Sequence, residues 1–168
     1  MKTIILVRHA KSSWDDFSLK DEERPLTDRG KKNAPEMAKR LLKQKIKIDA
    51  ILSSPAKRAK ATAEYFAREY DIPKKKIILV PDLYMAGHNA FVEAIRQAPE
   101  KAESIALFSH NNGITEFANT LSDTRIDHMP TCSVFVVNVD IEKWSEFEPG
   151  SAKFNLFDFP KSAQKGLN

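Results

Sequence analysis

A short apolar segment that ends in two basic side chains constrains the fold of this chain more than any other feature. Residues 3–7 read Thr-Ile-Ile-Leu-Val, and Arg8, His9 and Ala10 follow directly. A run of apolar and β-branched residues of this length is typical of a buried strand. Because ligands of open α/β sheets bind outside the carboxyl ends of the strands, the segment predicts a central strand that presents a guanidinium and an imidazole at a binding edge.

Strand-like and helical segments then alternate along the chain. Strands are predicted at 3–7, 50–53, 77–80, 105–108, 133–139 and 152–159. Amphipathic helices are predicted at 28–44, after Pro55, at 89–98, and over the segment that contains Ile114, Phe117, Ala118 and Leu121. Pro35 lies inside the first of these helices, so that helix either starts later or bends.

This alternation favours the α/β class, and within it a three-layer α/β/α sandwich around a mostly parallel central sheet. The first four strands are short and mostly apolar, as buried parallel strands are. The last two alternate more between polar and apolar residues, which favours an edge position or antiparallel pairing.

The length of 168 residues and the charged fraction of 30% fit one soluble domain. We expect that domain at 1–160 and a flexible tail at 161–168. No apolar segment approaches the ~20 residues of a membrane helix, and the first residues show no signal-peptide pattern, so we expect a cytoplasmic protein without a membrane partner. The single cysteine, Cys132, excludes an intramolecular disulfide and is expected to pack as a small buried side chain.

The net charge of +4 is compatible with binding either nucleic acid or a small anionic ligand. The basic residues are scattered, and Lys74, Lys75 and Lys76 form a run without the interleaved aromatic side chains that stack on bases. We therefore expect no nucleic-acid partner and favour an anionic ligand.

Polar side chains follow three of the predicted strands. Arg8 and His9 follow the first, Arg58 lies in the first turn of the helix after the second, and His110 follows the fourth. If these strands are parallel, all four side chains lie at one edge of the sheet. Two of the three segments that follow the strands lead into helices, and helix N-termini attract anions. Two arginines and two histidines with few acids among them suit a tetrahedral phosphoryl group.

Two other chemistries fit less well. The histidines lack metal-ligand spacing and no carboxylate accompanies them, so we expect no metal and no cofactor. A serine hydrolase of the Gly-x-Ser-x-Gly type is not supported, because that turn does not occur.

The chain resembles a known family, the histidine phosphatase superfamily, which has a phosphoglycerate mutase-like fold. Within that superfamily it resembles the SixA-like phosphohistidine phosphatases. The resemblance covers nearly the whole chain. It is carried by Arg8-His9-Ala10, by Arg24-Pro25-Leu26-Thr27 with Arg29-Gly30, by Ser53-Ser54-Pro55-Ala56-Lys57-Arg58-Ala59, by Ser109-His110-Asn111, and by the opening Arg-His-Ala-Lys-Ser-Ser-Trp and the segment Met-Pro-Thr-Cys at 129–132.

The resemblance implies a role for each of the four basic residues. His9 attacks phosphorus and becomes phosphorylated, Arg8 and Arg58 bind the non-bridging oxygens, and His110 hydrogen-bonds the phosphoryl group. Water then hydrolyses the phospho-enzyme. Which nitrogen of His9 attacks cannot be read from the sequence, and neither can the oligomeric state.

One position departs from the pattern of the wider superfamily. Many members carry a glutamate after the third strand that protonates the leaving oxygen, and Met85 stands in the matching region here. General acid catalysis is typically worth ~10²–10⁴-fold, so its absence is expected to penalise phosphomonoesters more than phosphohistidine. Asp82 and His88 are the alternative donors, although loop roles are favoured for both.

Four further residues are candidates for binding the substrate: Lys11, Ser12, Ser13 and Arg24. Trp14 and Tyr84 either wall the cleft or belong to the core. The favoured function is hydrolysis of phosphohistidine on a signalling protein. A phosphatase of small phosphomonoesters and a non-catalytic phosphate-binding module are the alternatives.

Overall fold

A six-stranded sheet forms the centre of the fold. The computed structural model describes residues 1–161. The strands are β1 (Lys2–Arg8), β2 (Ala50–Ser53), β3 (Ile78–Leu79), β4 (Ser104–Ser109), β5 (Val134–Val139) and β6 (Lys153–Asp158). Their spatial order is β3-β2-β4-β1-β5-β6.

The first four strands are parallel to one another, whereas β5 pairs antiparallel with β1, and β6 pairs antiparallel with β5. The predicted mostly parallel sheet is confirmed, and so is the expectation that the last two strands differ. The prediction of a buried strand at 77–80 is wrong. Only Ile78 and Leu79 pair, at the edge of the sheet, and both are about 40% exposed (39% and 43%).

Four α-helices cover the two faces of the sheet in the described part of the chain. They are α1 (Asp28–Lys43), α2 (Lys57–Glu69), α3 (His88–Arg96) and α4 (Gly113–Leu121). Buried side chains of α1 and α2 pack on one face, and those of α3 and α4 pack on the other. The predicted three-layer sandwich is therefore confirmed. The predicted flexible tail lies, beyond Lys161, outside the described residues.

The central strand supplies both cores. Ile4 and Leu6 of β1 belong to the core beneath α3 and α4, and Ile5 and Val7 belong to the core beneath α1 and α2. Because successive side chains of a strand point to opposite faces, a strand covered on both faces must be apolar throughout. That requirement explains the continuous apolar run that precedes Arg8.

The first helix starts early despite Pro35. Its N-cap is Thr27, whose hydroxyl accepts a hydrogen bond from the Gly30 N–H over 3.1 Å. A proline inside a helix costs about 3 kcal/mol, but Met37 and Leu41 are fully buried on the inner face of α1. The helix runs through Pro35 without a later start, and the burial of its apolar face offsets the missing hydrogen bond.

The strand register aligns the ends that carry polar side chains. Arg8 of β1 pairs with Ser109 of β4, and Ser53 of β2 pairs with Phe108 of β4. Two hydrogen bonds extend this alignment beyond the strands: the His9 N–H donates to the Ser109 carbonyl over 3.1 Å, and the Ser54 N–H donates to the Phe108 carbonyl over 2.9 Å. Three chain segments therefore leave the sheet at the same level.

None of the helices within residues 1–161 combines the length and the apolar character needed to cross a bilayer.

A glycine fixes the distance between α1 and the segment after β1. A Cβ atom added at Gly30 would lie 2.3 Å from the carbonyl oxygen of Lys11, so Gly30→Ala requires backbone movement. We expect this variant to lower the free energy of unfolding by about 1–3 kcal/mol, measured by urea denaturation. Gly87→Ala is the control, because a Cβ there meets nothing within 4 Å. Equal stability of the two variants would contradict the close contact.

Candidate active site

The three aligned strand ends bring four basic side chains together. Arg8 ends β1 and His9 follows it, Arg58 lies in the first turn of α2, and His110 follows β4. The ring centroids of His9 and His110 are 5.2 Å apart. These four side chains line a cleft of about 360 Å³ together with Lys11, Ser12, Trp14, Asp21, Arg24, Met85, Asn111 and Thr131.

The hydrogen bonds of His9 determine which ring nitrogen is available to a ligand. Nδ1 lies 2.7 Å from the carbonyl oxygen of Ala10, and because a carbonyl only accepts, Nδ1 carries the proton. On the other side of the ring, the Nε–H of Arg58 donates to Nε2 over 3.4 Å. Nε2 is therefore the unprotonated nitrogen, and its lone pair accepts this long hydrogen bond. The Ala10 peptide is itself held, since its N–H donates to the Thr62 hydroxyl over 2.9 Å.

Asp21 orients the guanidinium of Arg58. Nη1 of Arg58 donates to the Asp21 carbonyl oxygen over 2.7 Å, and Nη2 donates to Oδ2 of Asp21 over 2.9 Å. The hydroxyl of Tyr84 donates to the same Oδ2 over 2.6 Å. Asp21 therefore binds the two terminal nitrogens and leaves the Nε–H on the side of His9.

Backbone groups of the segment before β5 hold the end of β1. Nη1 of Arg8 donates to the Met129 carbonyl over 2.9 Å. The Cys132 N–H donates to the carbonyls of Arg8 and His9 over 3.1 and 3.0 Å. Cys132 itself is fully buried, as expected, and burial raises the pKa of its thiol to about 12. It is a packing side chain and not a reactive thiolate.

His110 is positioned by the segment that follows β2. Its Nε2 lies 2.8 Å from the Ser54 hydroxyl oxygen, and the Tyr84 ring contacts the imidazole edge-on with centroids 5.4 Å apart. These two contacts fix the plane of the ring and leave Nδ1 as the nitrogen not engaged by Ser54.

Three buried nitrogens around the cleft have no hydrogen-bond partner within the described residues: Nε of Arg8, Nε of Arg24 and Nδ1 of His110. Such atoms are rare in folded proteins, because each costs about 1–3 kcal/mol. In residues 1–161 only one other buried side-chain atom, Oγ of Ser133, shares this condition. Their concentration in one basic cleft favours a ligand with several anionic acceptor oxygens.

The same environment keeps both imidazoles neutral. Burial is the main cause that lowers the pKa of His9 to about 3; the hydrogen bond to the Ala10 carbonyl opposes this shift, and the electrostatic effects of His110, Arg58 and Arg8 add to it. Burial and then the charge of Arg58 lower the pKa of His110 to about 4. At neutral pH, His9 therefore retains a lone pair on Nε2.

Asp21 stays ionised in this setting. Burial alone would raise the pKa of Asp21, but hydrogen bonds from Tyr84 and Arg58 and the charges of Arg58 and Arg24 lower it. The same hydrogen bond to Asp21 is the main cause that raises the pKa of Tyr84 to about 12. The cleft thus contains one carboxylate, whose oxygens are directed to Arg58 and Tyr84.

Three of the four predicted substrate-binding residues line the cleft, namely Lys11, Ser12 and Arg24. Arg24 hydrogen-bonds to the Ser12 hydroxyl, and its guanidinium stacks on the Trp14 ring at 3.4 Å from the centroid. Ser13 does not line the cleft. Its N–H donates to the Pro25 carbonyl over 2.8 Å, and its hydroxyl accepts from the Asp15 N–H, so its contacts are within the loop.

Sequence reasoning missed Asp21, Ser54 and Thr62 as parts of the site. The expectation of few acids near the histidines holds for the sequence neighbours but overlooks Asp21, which the loop before Arg24 returns to the cleft. Thr62 lies on the buried face of α2, and its position along the chain does not indicate the hydrogen bond that it accepts from the Ala10 N–H. The spacing of three residues between Asp21 and Arg24 is compatible with their ion pair at 3.6 Å, but it does not indicate that Asp21 binds Arg58.

Comparisons with known proteins identify the family of the chain. Residues 4–84, which carry Arg8, His9 and Arg58, match the family model of the histidine phosphatase superfamily (branch 1). An uncharacterised chloroplastic protein of Arabidopsis thaliana is 31% identical over 154 residues, which are 86% of this chain and 70% of that protein. The chain belongs to the histidine phosphatase superfamily.

Solved structures of this superfamily share the whole fold. The protein histidine phosphatase SixA, solved in complex with tungstate, superposes with a TM-score of 0.80 at 23% identity and covers 96% of this chain and 99% of that one. A protein of Agrobacterium tumefaciens assigned as a phosphohistidine phosphatase, SixA, gives 0.79 at 22% identity over 95% of this chain and 98% of that one. At these identities the likeness concerns the fold.

Met85, which stands in the region where the resemblance leads us to expect a glutamate, places an apolar side chain at the cleft. Met85 lines the cleft, is 58% exposed and has a positive φ of 51°. Neither alternative donor lies among the lining residues: Asp82 is exposed, and His88 packs edge-on against Phe117 with centroids 5.5 Å apart. Asp82 lies in the connection between β3 and α3, as expected, whereas the loop role expected for His88 is wrong, because His88 is the first residue of α3.

No group of three or more His, Cys, Asp or Glu side chains in residues 1–161 is arranged to hold a metal ion. The expectation of a reaction without metal or cofactor stays a prediction.

The two buried imidazoles make the stability of this superfamily member dependent on pH. The folded pKa values of His9 and His110, about 3 and 4, lie below the ordinary value of about 6.5, so the unfolded chain binds more protons between these limits. The contribution of the two neutral histidines to the free energy of unfolding is complete above about pH 6.5, and it is lost as the pH falls toward their folded pKa values. We expect a variant with His9→Gln and His110→Gln to lose less stability from pH 7 to 5 than the wild type, by roughly 2 kcal/mol per histidine.

Urea denaturation at each pH measures this difference. His88→Gln, at an exposed histidine, is the control and is expected to keep the wild-type slope. If the double variant also keeps the wild-type slope, the two histidines are not buried in the neutral form.

Proposed function

We propose that this phosphatase hydrolyses phosphohistidine on a protein, as in the SixA-like branch, through a phospho-enzyme intermediate on His9. The observation that carries the proposal is the state of the His9 ring. Nδ1 is committed to the Ala10 carbonyl, and the unprotonated Nε2 stands beside the guanidinium of Arg58. A neutral imidazole fixed in this way is a nucleophile that needs no base to remove a proton.

In the first step, Nε2 of His9 attacks phosphorus. The new N–P bond forms as the P–N bond to the substrate imidazole breaks, and the bonding pair leaves with that imidazole. The substrate ring departs as neutral imidazole because its other ring nitrogen carries a proton, as Nδ1 of His9 does. Phosphoryl transfer depends mainly on alignment and on stabilisation of charge. Arg8 and Arg58 supply positive charge for the non-bridging oxygens, and Nδ1 of His110 and Nε of Arg8 are the unpartnered nitrogens that can bind them.

In the second step, a water molecule attacks the phosphoryl group on His9. An O–P bond forms, the N–P bond breaks with its electron pair returning to Nε2, and the proton lost by water leaves with the phosphate product or passes to solvent. The hydrogen bond from Nδ1 to Ala10 keeps the ring in place throughout, so the enzyme returns to its starting state.

The side chain of Met85 supports phosphohistidine over phosphomonoesters as the substrate. An alkoxide leaving group requires protonation, whereas an imidazole leaves with less assistance. Asp21 is the carboxylate that lines the cleft, and its Oδ2 accepts hydrogen bonds from Arg58 and Tyr84. A lowered pKa makes Asp21 a poor proton donor at neutral pH. The fold shared with the protein histidine phosphatase SixA adds to this support.

We further propose that the enzyme acts in the cytoplasm on a phosphohistidine-containing signalling protein, without a metal or cofactor. The single cysteine, buried in the segment before β5, fits a reducing compartment.

The nucleophile is tested by His9→Ala. We expect this variant to lose at least about 10³-fold in kcat/KM on a phosphohistidine peptide, and we expect wild-type protein quenched during turnover to retain acid-labile phosphate that the variant lacks. His88→Ala, which removes a histidine outside the cleft, is the control. Full activity of His9→Ala, or wild-type binding of phosphate without any turnover, would refute the proposal and favour a binding module.

The leaving-group argument is tested by Met85→Glu. A carboxylic acid at this position supplies the missing proton donor, so we expect kcat on an alkyl or aryl phosphate to rise by about tenfold or more, with little change on phosphohistidine. Met85→Gln has the same length without an acidic proton and is the matched control. If wild-type protein already hydrolyses phosphomonoesters faster than phosphohistidine, the alternative of a small-molecule phosphatase is the correct one.

A further inference from the structure

A second pocket opens beside the catalytic cleft. It has a volume of about 300 Å³ and lies between the start of α1, the segment before β5 and the residues after β6. We call it the side pocket and define it by Lys11, Arg29, Asn33, His128, Thr131 and Lys161. Lys11 and Thr131 line both the side pocket and the catalytic cleft, so the two are adjacent.

The side pocket concentrates positive charge. Lys11, Arg29 and Lys161 line it, and no aspartate or glutamate does. Lys32 extends the charge into a neighbouring hollow along α1, where Glu36 is the acid present. In the part of the chain that the structure describes, Lys11, Arg29 and Lys32 form no ion pair, although Arg24, Arg40, Arg58 and Arg96 do. Like charges around one concavity repel each other unless an anion lies between them.

The backbone fixes this arrangement. The Lys11 carbonyl accepts hydrogen bonds from the N–H of Thr27 over 2.9 Å and from its hydroxyl over 3.2 Å. Gly30 packs against the same carbonyl so closely that a Cβ atom would not fit. The first turn of α1 therefore fixes the position of Lys11 relative to Arg29, and both residues line the side pocket. Asn33 stands four residues after Arg29, so it lies on the same face of the helix.

We infer that the side pocket binds a second anionic group of the phosphorylated substrate while the phosphoryl group occupies the cleft. This inference rests on the proposed phosphatase function and specifies its substrate. The shared chemistry is a carboxylate or a phosphate on the same molecule, and Lys11 contacts both sites. An acidic side chain near phosphohistidine and a second phosphoryl group of a small molecule are the two sources to be distinguished.

Arg29→Gln tests the inference by kinetics. One pair of substrates is a phosphohistidine peptide with flanking aspartates and the same peptide with asparagines; the other pair is a sugar bisphosphate and the corresponding monophosphate. We expect Arg29→Gln to lower kcat/KM by about fivefold for the doubly anionic member of one pair and to leave its partner unchanged, since a single exposed charge contact is worth up to about that much. The effect should shrink at high salt.

Lys39→Gln is the matched control. It removes one positive charge from the exposed side of the same helix, outside the side pocket. An effect of Arg29→Gln confined to the peptide pair identifies acidic side chains as the second anion, and one confined to the bisphosphate identifies a phosphoryl group. Equal effects of Arg29→Gln and Lys39→Gln, or no effect in either pair, would overturn the inference.

A binding measurement separates this inference from the proposed function. Inorganic phosphate is titrated into the His9→Ala protein while amide resonances are followed by NMR. We expect a saturable shift at Asn33, which lines the side pocket and not the catalytic cleft, and we expect this shift to be absent in the protein that also carries Arg29→Gln. If no substrate is hydrolysed but this shift appears, the phosphatase proposal fails and the anion site stands. If the substrates are hydrolysed and Asn33 does not shift, the side pocket is not an anion site.

Discussion

The register between three parallel strands is the constraint on which the site depends. Because Arg8 pairs with Ser109, and Ser53 with Phe108, the strands β1, β2 and β4 end at one level. The peptides of His9 and Ser54 continue the ladder for one more hydrogen bond each. A slip of one residue would turn the apolar residues of β1 to the wrong faces. The two cores that pack on β1 therefore also determine where His9 stands.

The cleft concentrates positive charge and at the same time keeps His9, the proposed nucleophile, neutral. Buried cations repel one another, and here Asp21 offsets part of that repulsion by binding Arg58 and approaching Arg24. The hydroxyl of Tyr84 also donates a hydrogen bond to this carboxylate. Arg58 and Tyr84 together hold the Asp21 side chain in its orientation. The positive charge that Asp21 does not neutralise faces the ligand. The unpartnered nitrogens of Arg8, Arg24 and His110 carry the part of the desolvation cost that phosphoryl oxygens can relieve.

The sequence predicted the layers of the fold and the four basic residues at one edge, because strand and helix periodicity and the polar residues after each strand are local signals. It overestimated β3, whose apolar residues lie at an exposed edge with few pairing partners. It assigned a binding role to Ser13, whose contacts belong to the loop. Asp21 and Thr62 escaped notice because their importance arises from tertiary contacts with Arg58 and Ala10, which no spacing along the chain reveals.

The absence of an acid at Met85 and the tautomer of His9 have a common consequence. A nucleophile that needs no base and a leaving group that needs little acid together allow transfer between two imidazoles with the protein contributing alignment and positive charge. Nitrogen replaces nitrogen on phosphorus in the first step, so the bond made resembles the bond broken. A phosphomonoester offers no such symmetry, because its oxygen leaves as a stronger base than the imidazole that displaces it. These two features of the cleft are the chemical grounds on which we propose a P–N bond as the bond that is cleaved.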